Sequence, residues 1–467
     1  MKPTANQLPH RHRPTHSRRL TSHFRRFAFW VFLLIAPGLV RAQEERTLLL
    51  ERIDIEGNTK TVAGVIHNYL DMEVGSTISR DMVEAAGKRL EATRFFKTSE
   101  LRLSPGTEKG QAVLTVIVTE RRWPFFQFKS GYNELDGWYL SPLGIRFDNL
   151  LGYGNRLGLE FLIGDRISGA RLGYYRPYLL GTEYDLGLVL EGNDRQFLHY
   201  PEGARELDEA FFQKVPTSEL ALSINGNSGI PRFFSMKLSV QAVTVDSTLR
   251  RRGDNEERAA PGVLLPPLEN PYRTGRLYLA THIDTRDNRA YPSRGWWGSL
   301  SWEHAVFQED SILNRDLKYS RTVLDLRRYQ PIWKELVGAV RVKYGQISEA
   351  SPFFERFYLG GPNSLRGYVD RSQNPLGYAS RMTLSSAELR FPLSARLKDR
   401  SRFTGVLFYD AGFAWNESTT WNFSKLKTGM GAGVRLRIPV IGILRVDLAY
   451  PIPDYEPRLH ISLGQTF

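Results

Sequence analysis

From about residue 122 onward, apolar and polar positions alternate with a period of two, the signature of half-buried strands. Leu157, Leu159, Phe161 and Ile163 alternate with Gly158, Glu160 and Leu162, and Tyr184, Leu186, Leu188 and Leu190 with Asp185, Gly187, Val189 and Glu191. The same period recurs at Gly338–Tyr344, at Val434–Ile438 with Arg435 and Arg437, and at Leu444–Tyr450 with Arg445 and Asp447. One face is apolar throughout, while the other repeatedly carries full charges. A soluble β-sandwich alternates too, but about sixteen segments occur here, each near the roughly 9–11 residues a tilted strand needs to cross a bilayer. The pattern predicts a sixteen-stranded antiparallel transmembrane β-barrel over 122–467, closed so that no edge is exposed. Long connections fall near Arg195–Ala210, Asp246–Tyr272 and Ser348–Ser380, with short ones elsewhere. Transmembrane barrels show this asymmetry between their two ends.

Residues 47–121 read differently. Leu48–Glu56 alternates, Gly57-Asn58 turns the chain, and Thr61 is expected to cap a helix carrying Val62, Val65, Ile66 and Tyr69. Ser79 is expected to open a second helix with Met82, Val83, Ala86 and Leu90 as its stripe, followed by Phe95-Phe96. Two strands, Lys97–Leu103 and Ala112–Glu120, join through Pro105-Gly106. The prediction is a small α+β domain of order β-α-α-β-β.

The net charge of +13 resides largely in the first 42 residues. These hold eight basic residues (Lys2, Arg11, Arg13, Arg18, Arg19, Arg25, Arg26, Arg41) and no acidic one, which leaves 55 basic against 50 acidic residues in the remainder. A nucleic-acid partner is not implied by so balanced a body. The basic stretch runs into the apolar Phe27–Ala36, then Pro37-Gly38 and Val40-Arg41-Ala42. That order predicts a signal peptide over 1–42, cut after Ala42. About ten apolar residues are too few to span ~30 Å of hydrocarbon. The chain contains no cysteine, so disulfides, thiol catalysis and a lipid-modified cysteine are excluded. Hydrophobic content of 41% and a mean hydropathy of −0.35 exclude a polytopic helical membrane protein but not a barrel.

Several motifs together resemble the BamA/TamA-like outer-membrane assembly superfamily. Ile53-Asp54-Ile55-Glu56-Gly57-Asn58, Gly75 with Ile78-Ser79, Phe95-Phe96 and a last strand closing on Glu120 resemble a POTRA domain, the periplasmic module of that superfamily. In Ser348–Ser380, between the eleventh and twelfth wall strands, Phe357-Tyr358-Leu359-Gly360-Gly361 and Leu365-Arg366-Gly367-Tyr368 resemble the family's loop six. The resemblance implies that this loop folds back into the lumen, where Arg366 meets acidic side chains. Glu388, on the polar face of the next strand, and Asp410, in Phe408-Tyr409-Asp410-Ala411-Gly412, are the candidates for a clamp with Arg366, Gly367 and Tyr368. The bland alternative makes Arg366 a solvated loop residue and both carboxylates ordinary lumen groups. Asp284–Asn288 with Pro292–Gly295 resembles the family's turn before a central strand. The last strand, Leu459–Phe467, with apolar Leu459, Ile461, Leu463 and Phe467, resembles the β-signal by which outer-membrane proteins are recognised. The resemblance makes its pairing with the first wall strand, near Phe125–Asn133, a lateral gate that Gly464 would loosen.

The resemblance implies a function in inserting barrel proteins into the outer membrane of a Gram-negative bacterium, or in passing polypeptides across it. The implied partners are outer-membrane lipids, unfolded or secreted client polypeptides and periplasmic or lipoprotein accessory factors. A two-partner-type secretion pore and a passive surface antigen or porin are the rival readings. Catalysis is not expected. No Gly-x-Ser-x-Gly elbow occurs, Gly152-Tyr153-Gly154-Asn155 lies in a hairpin, and His67, His199, His282, His304 and His460 are isolated in the sequence. Neither a metal nor another cofactor is expected.

Overall fold

The computed structural model describes residues 47–467 except 123, 183, 202–205, 227–231, 252–256, 266–270, 308–317, 394–401, 420, 439–441 and 454–455. The expected signal peptide lies outside the described residues.

The first domain runs β1 (Leu48–Glu56), α1 (Ala63–Leu70), β2 (Thr77–Ile78), α2 (Arg80–Thr93), β3 (Phe96–Pro105) and β4 (Gln111–Glu120). Its sheet order is β2-β1-β4-β3, with β1 and β4 parallel. Both helices cover one face, where Leu50, Ile66, Leu70, Ala86, Leu90, Phe95, Leu114 and Val116 form the core. Ser79 caps α2 as expected, its Oγ accepting from the Met82 amide at 3.3 Å.

Two details differ from the sequence reading. The strand β2 was not anticipated, because two residues cannot display a period; it forms where Gly75, at φ +87°, turns the chain back beside Leu48 and Leu49. Thr61 does not cap α1, whose N-cap is Val62 with no side-chain bond. The Thr61 hydroxyl donates to Glu120 at 2.7 Å and accepts from Asn149 at 2.7 Å, so tertiary partners outcompete the local cap.

The wall begins with β5 (Phe125–Asn133), β6 (Gly137–Leu150), β7 (Asn155–Gly164), β8 (Ile167–Arg176), β9 (Tyr184–His199), β10 (Phe211–Gly226) and β11 (Arg232–Val243). A hairpin of β12 (Thr248–Arg251) and β13 (Glu257–Ala259) then extends β10 beyond the wall, and β11 pairs directly with β14 (Tyr272–Asp284). The wall continues through β15 (Gly295–Phe307), β16 (Lys318–Trp333), β17 (Leu336–Ile347) and β18 (Arg381–Pro392). It ends with β19 (Phe403–Trp415), β20 (Lys427–Ile438), β21 (Gly442–Ile452) and β22 (Arg458–Leu463), and β22 closes on β5. Setting the β12–β13 hairpin aside, sixteen antiparallel strands make the barrel, the number the periodicity predicts.

Closure explains the two faces. Leu188, Leu222 and Leu238 lie opposite one another on three neighbouring strands, and all three are exposed on the outside. Glu219, on the inward face of β10, pairs with Lys237 at 2.9 Å and Arg276 at 3.2 Å. An apolar outer band over a charged, paired interior is the reverse of a soluble protein.

The first domain docks on the turns that follow β6 and β8. The Val62 amide donates to the Gly152 carbonyl at 3.0 Å, and Tyr69 meets Tyr178 edge-on with ring centroids 4.8 Å apart. Gly152 sits at φ +80°, and a Cβ there would lie 2.1 Å from the Lys60 carbonyl oxygen. The Gly152–Asn155 hairpin is therefore a docking turn. At the other end of the barrel, connections are longer, and 348–380 folds back into the lumen.

Candidate functional site

The site is built where this inward loop meets the inner face of β18–β21. Strand register decides what faces the lumen: Ser386 lies opposite Asp410, and Glu388 opposite Phe408. Arg366 enters this surface with no exposed area. Its Nε and Nη2 donate to the two Asp410 oxygens at 2.6 and 2.8 Å, and its Nη1 donates to Glu388 at 2.7 Å. Its backbone amide also donates to Asp410, at 3.2 Å, and its guanidinium lies 3.6 Å above the Phe408 ring centre. One planar fork thus satisfies two carboxylates and stacks on an aromatic face, which a lysine could not do.

The charge cluster is larger than those three residues. Arg390 donates to the second side of Glu388 at 2.9 Å, and Arg435 to Asp447 at 2.5 Å. Asp447 approaches Arg366 at 3.9 Å and Arg445 at 3.6 Å. Arg445 also reaches Asn363 of the loop at 2.5 Å. Charges so fully buried are tolerated only because each has opposite charges around it; removing one member of such a set typically costs ~3–5 kcal/mol.

Space for the loop comes from glycines on the inner face of β20. A Cβ at Gly429 would lie 2.0 Å from the Arg366 carbonyl oxygen, and one at Gly433 would lie 1.8 Å from an Asp447 oxygen. Gly367 itself sits at φ +95° and donates its amide to His460 Nε2 at 3.0 Å. The Tyr368 hydroxyl reaches the carbonyls of Thr428 at 3.2 Å and Ile452 at 3.3 Å.

The loop also meets the opposite side of the seam. Asp370 accepts from Arg166 at 2.9 Å and from the Tyr132 hydroxyl, while its carbonyl accepts from Tyr200 at 2.7 Å. Glu134, just beyond β5, accepts from the Asn363 amide at 2.5 Å. The next residue, Arg371, lies buried among Phe197, Tyr358 and Tyr378, 4.3–4.7 Å from each ring centre. Residues 363–371 therefore bridge from β21–β22 to the start of the wall.

At the seam, β22 is six residues long, whereas β9 and β10 run sixteen each. Leu459 and Ile461 point outward, 60% and 46% exposed, and Leu463 is half-buried. The placement of Phe467 corrects the sequence reading. Gly464, at φ +95°, ends the strand and breaks the period of two, so Gln465–Phe467 turn inward. Phe467 is buried against Tyr329 and Ala339, and its main-chain oxygen accepts from Arg390 at 3.2 Å.

The structure brings Arg366, Gly367, Tyr368, Glu388 and Asp410 together. Sequence reasoning missed Arg390, Arg435, Arg445, Asp447, Phe408 and His460 as members of the site. A signal existed for Arg435, Arg445 and Asp447, since all three occupy the charged face of the alternation. The same signal existed for His460, which alternates with the outward Leu459 and Ile461. Among the described residues, no group of histidine and carboxylate side chains could hold a metal ion.

Comparison with known proteins follows the same division. Residues 149–467 match the Omp85 superfamily domain, and residues 49–121 match the POTRA, surface antigen variable number repeat. The outer membrane protein assembly factor BamA of Nitratidesulfovibrio vulgaris is 22% identical over 91% of this chain and 52% of its own length. That of Neisseria meningitidis is 24% identical over 93% of this chain and 58% of its own length. The chain thus spans a little over half the length of these curated relatives. Among solved structures, BamA from Haemophilus ducreyi lacking POTRA domains 1–3 superposes with a TM-score of 0.63 at 19% identity, covering 90% of this chain and 84% of that one. The outward apolar band, closed wall and preceding domain are those of a Gram-negative outer-membrane protein whose POTRA domain lies in the periplasm.

Proposed function

Because the chain belongs to the Omp85 superfamily, we propose that it inserts and assembles β-barrel proteins in the outer membrane, without catalysing a covalent reaction. The observation that carries this reading is the seam. Its last strand, β22, is six residues long and ends at a glycine of positive φ. The wall is weakest there, and parting β22 from β5 exposes two rows of backbone donors and acceptors. A client strand can pair with such an edge through its main chain alone. The free edge of β3 in the first domain offers a second site for strand addition before the client reaches the barrel. Outer-membrane lipids surround the outward leucines, and accessory periplasmic or lipoprotein subunits would bind the first domain.

The test is reconstitution of the purified protein in liposomes with unfolded barrel substrates. Folding faster than in empty liposomes is expected, and equal rates would sink the insertase reading. Equal rates with an ion conductance would favour the secretion pore.

A further inference from the structure

Inside the barrel, a cavity of about 540 Å³ lies between the inward loop, the Gln465–Phe467 turn and the inner face of β16–β18. Its walls are unequally charged. Arg286 and Arg289 both draw on Asp284, at 2.8 and 3.3 Å. Arg327 and Arg341, directly opposite each other in the β16–β17 register, share Asp325, at 2.9 and 2.7 Å. Lys343 lies opposite Asp325 in the same register, but both Asp325 oxygens are already taken by those two arginines. Arg321 lies opposite Glu303 in the β15–β16 register and stacks on Phe357 at 4.8 Å, but its buried Nε has no hydrogen-bond partner among the described residues. Arg356 has Glu349 at 3.9 Å, and the lining carboxylate Glu134 is engaged by Asn363. Seven cationic side chains thus face five carboxylate side chains among the described residues, an excess of two positive charges.

We infer that this chamber is an anion site that takes a phosphomonoester-type dianion, with Arg321 and Lys343 as its donors. A guanidinium fork and an ammonium match the oxygens of such a group, and low-dielectric walls concentrate the field of the surplus charge. The inference stands apart from the assembly reading, since it needs neither a client nor an open seam. The group could be free phosphate or the terminal phosphate of a lipid headgroup.

The test uses the full chain folded in detergent micelles, freed of phosphate, and titrated calorimetrically with inorganic phosphate at constant ionic strength. Saturable binding of one phosphate per barrel is expected. The double variant Arg321→Gln/Lys343→Gln should weaken it at least about tenfold, as loss of two charge-assisted donors requires, while Arg321→Lys should stay within about threefold. Heat-modifiable migration checks that each variant is folded, and Lys343→Gln alone is read if the double variant is not. No saturable heat, or binding unchanged in the variant that is read, overturns the proposal. Reconstitution then separates the sources. Weaker phosphate binding in phosphatidic acid vesicles than in phosphatidylcholine vesicles assigns the site to a headgroup, and equal binding assigns it to the free ion; both results support it.

Discussion

Two segments from outside the wall are anchored to this barrel, and they are held by different chemistry. The inward loop is fixed by Arg366 in a cluster of fully buried charges. The POTRA domain is fixed to the turn after β6 by neutral groups: the Thr61 hydroxyl, the Asn149 amide and the Val62–Gly152 backbone bond. Two charged side chains take part: Arg156 of β7 donates to the Thr93 carbonyl at 3.4 Å and lies 5.4 Å from the Phe95 ring centre, and the half-buried Glu120 accepts from Thr59, Lys60 and Thr61 at 2.6–2.9 Å. The contrast teaches where electrostatics matters. In a dry lumen an unmatched charge has no water to retreat to, so each partner is indispensable. At the domain junction most partners are neutral, so a lost bond leaves no bare charge, each contact contributes modestly and the joint can give.

The largest effect should come from Arg366→Ala, which strands Asp410 and leaves Glu388 to Arg390 and Arg435, at a cost of about 3–5 kcal/mol. The folded band should be lost at clearly lower temperature on a heat-modifiability gel, and an unchanged midpoint would refute the clamp. Gly429→Ala leaves every charge in place but pushes a methyl into the Arg366 carbonyl. Overpacking of this kind costs about 1–3 kcal/mol, so its midpoint should fall between wild type and Arg366→Ala. Thr61→Val should leave the barrel midpoint unchanged while loosening the domain. It removes one buried hydroxyl bonded on both sides, worth about 1–2 kcal/mol, and faster proteolysis between residues 57 and 62 is the readout.

The smallest effect is one of pH. Burial alone would raise the Glu120 carboxyl, but hydrogen bonds from Thr61, Thr59 and Lys60 outweigh it and hold the group below its ordinary value. A lowered folded value means the junction is fully secured above the ordinary glutamate range and loosens as pH falls through the folded value. Proteolysis by an acid-active protease should therefore accelerate at low pH in the wild type. Glu120→Gln should abolish that dependence, and a variant that retains it would contradict the assignment.

Much of this was legible in one dimension. Sixteen strands follow from the period of two, and the Ser79 cap from its place before an apolar stripe. The candidate status of Arg366, Glu388 and Asp410 came from motif resemblance, whereas Arg435, Arg445 and Asp447 were visible only as charges on one face. Thr61 misled because a local capping rule was read where a tertiary partner wins. Phe467 misled because the period was carried through Gly464, where the backbone leaves the strand region.

By itself, the sequence determined which residues share a face, because side-chain direction along a strand is a local property of its backbone. It thereby settled a barrel with an apolar outside and a charged inside. Only the tertiary structure decided which charges meet. That choice depends on closure and on the register between β18, β19, β20 and β21, which bring Glu388, Asp410 and Asp447 within reach of one guanidinium. The sharing of Asp325 that leaves Lys343 without a carboxylate oxygen was decided in the same way, because pairing across strands is a property of the closed wall and not of any segment within it.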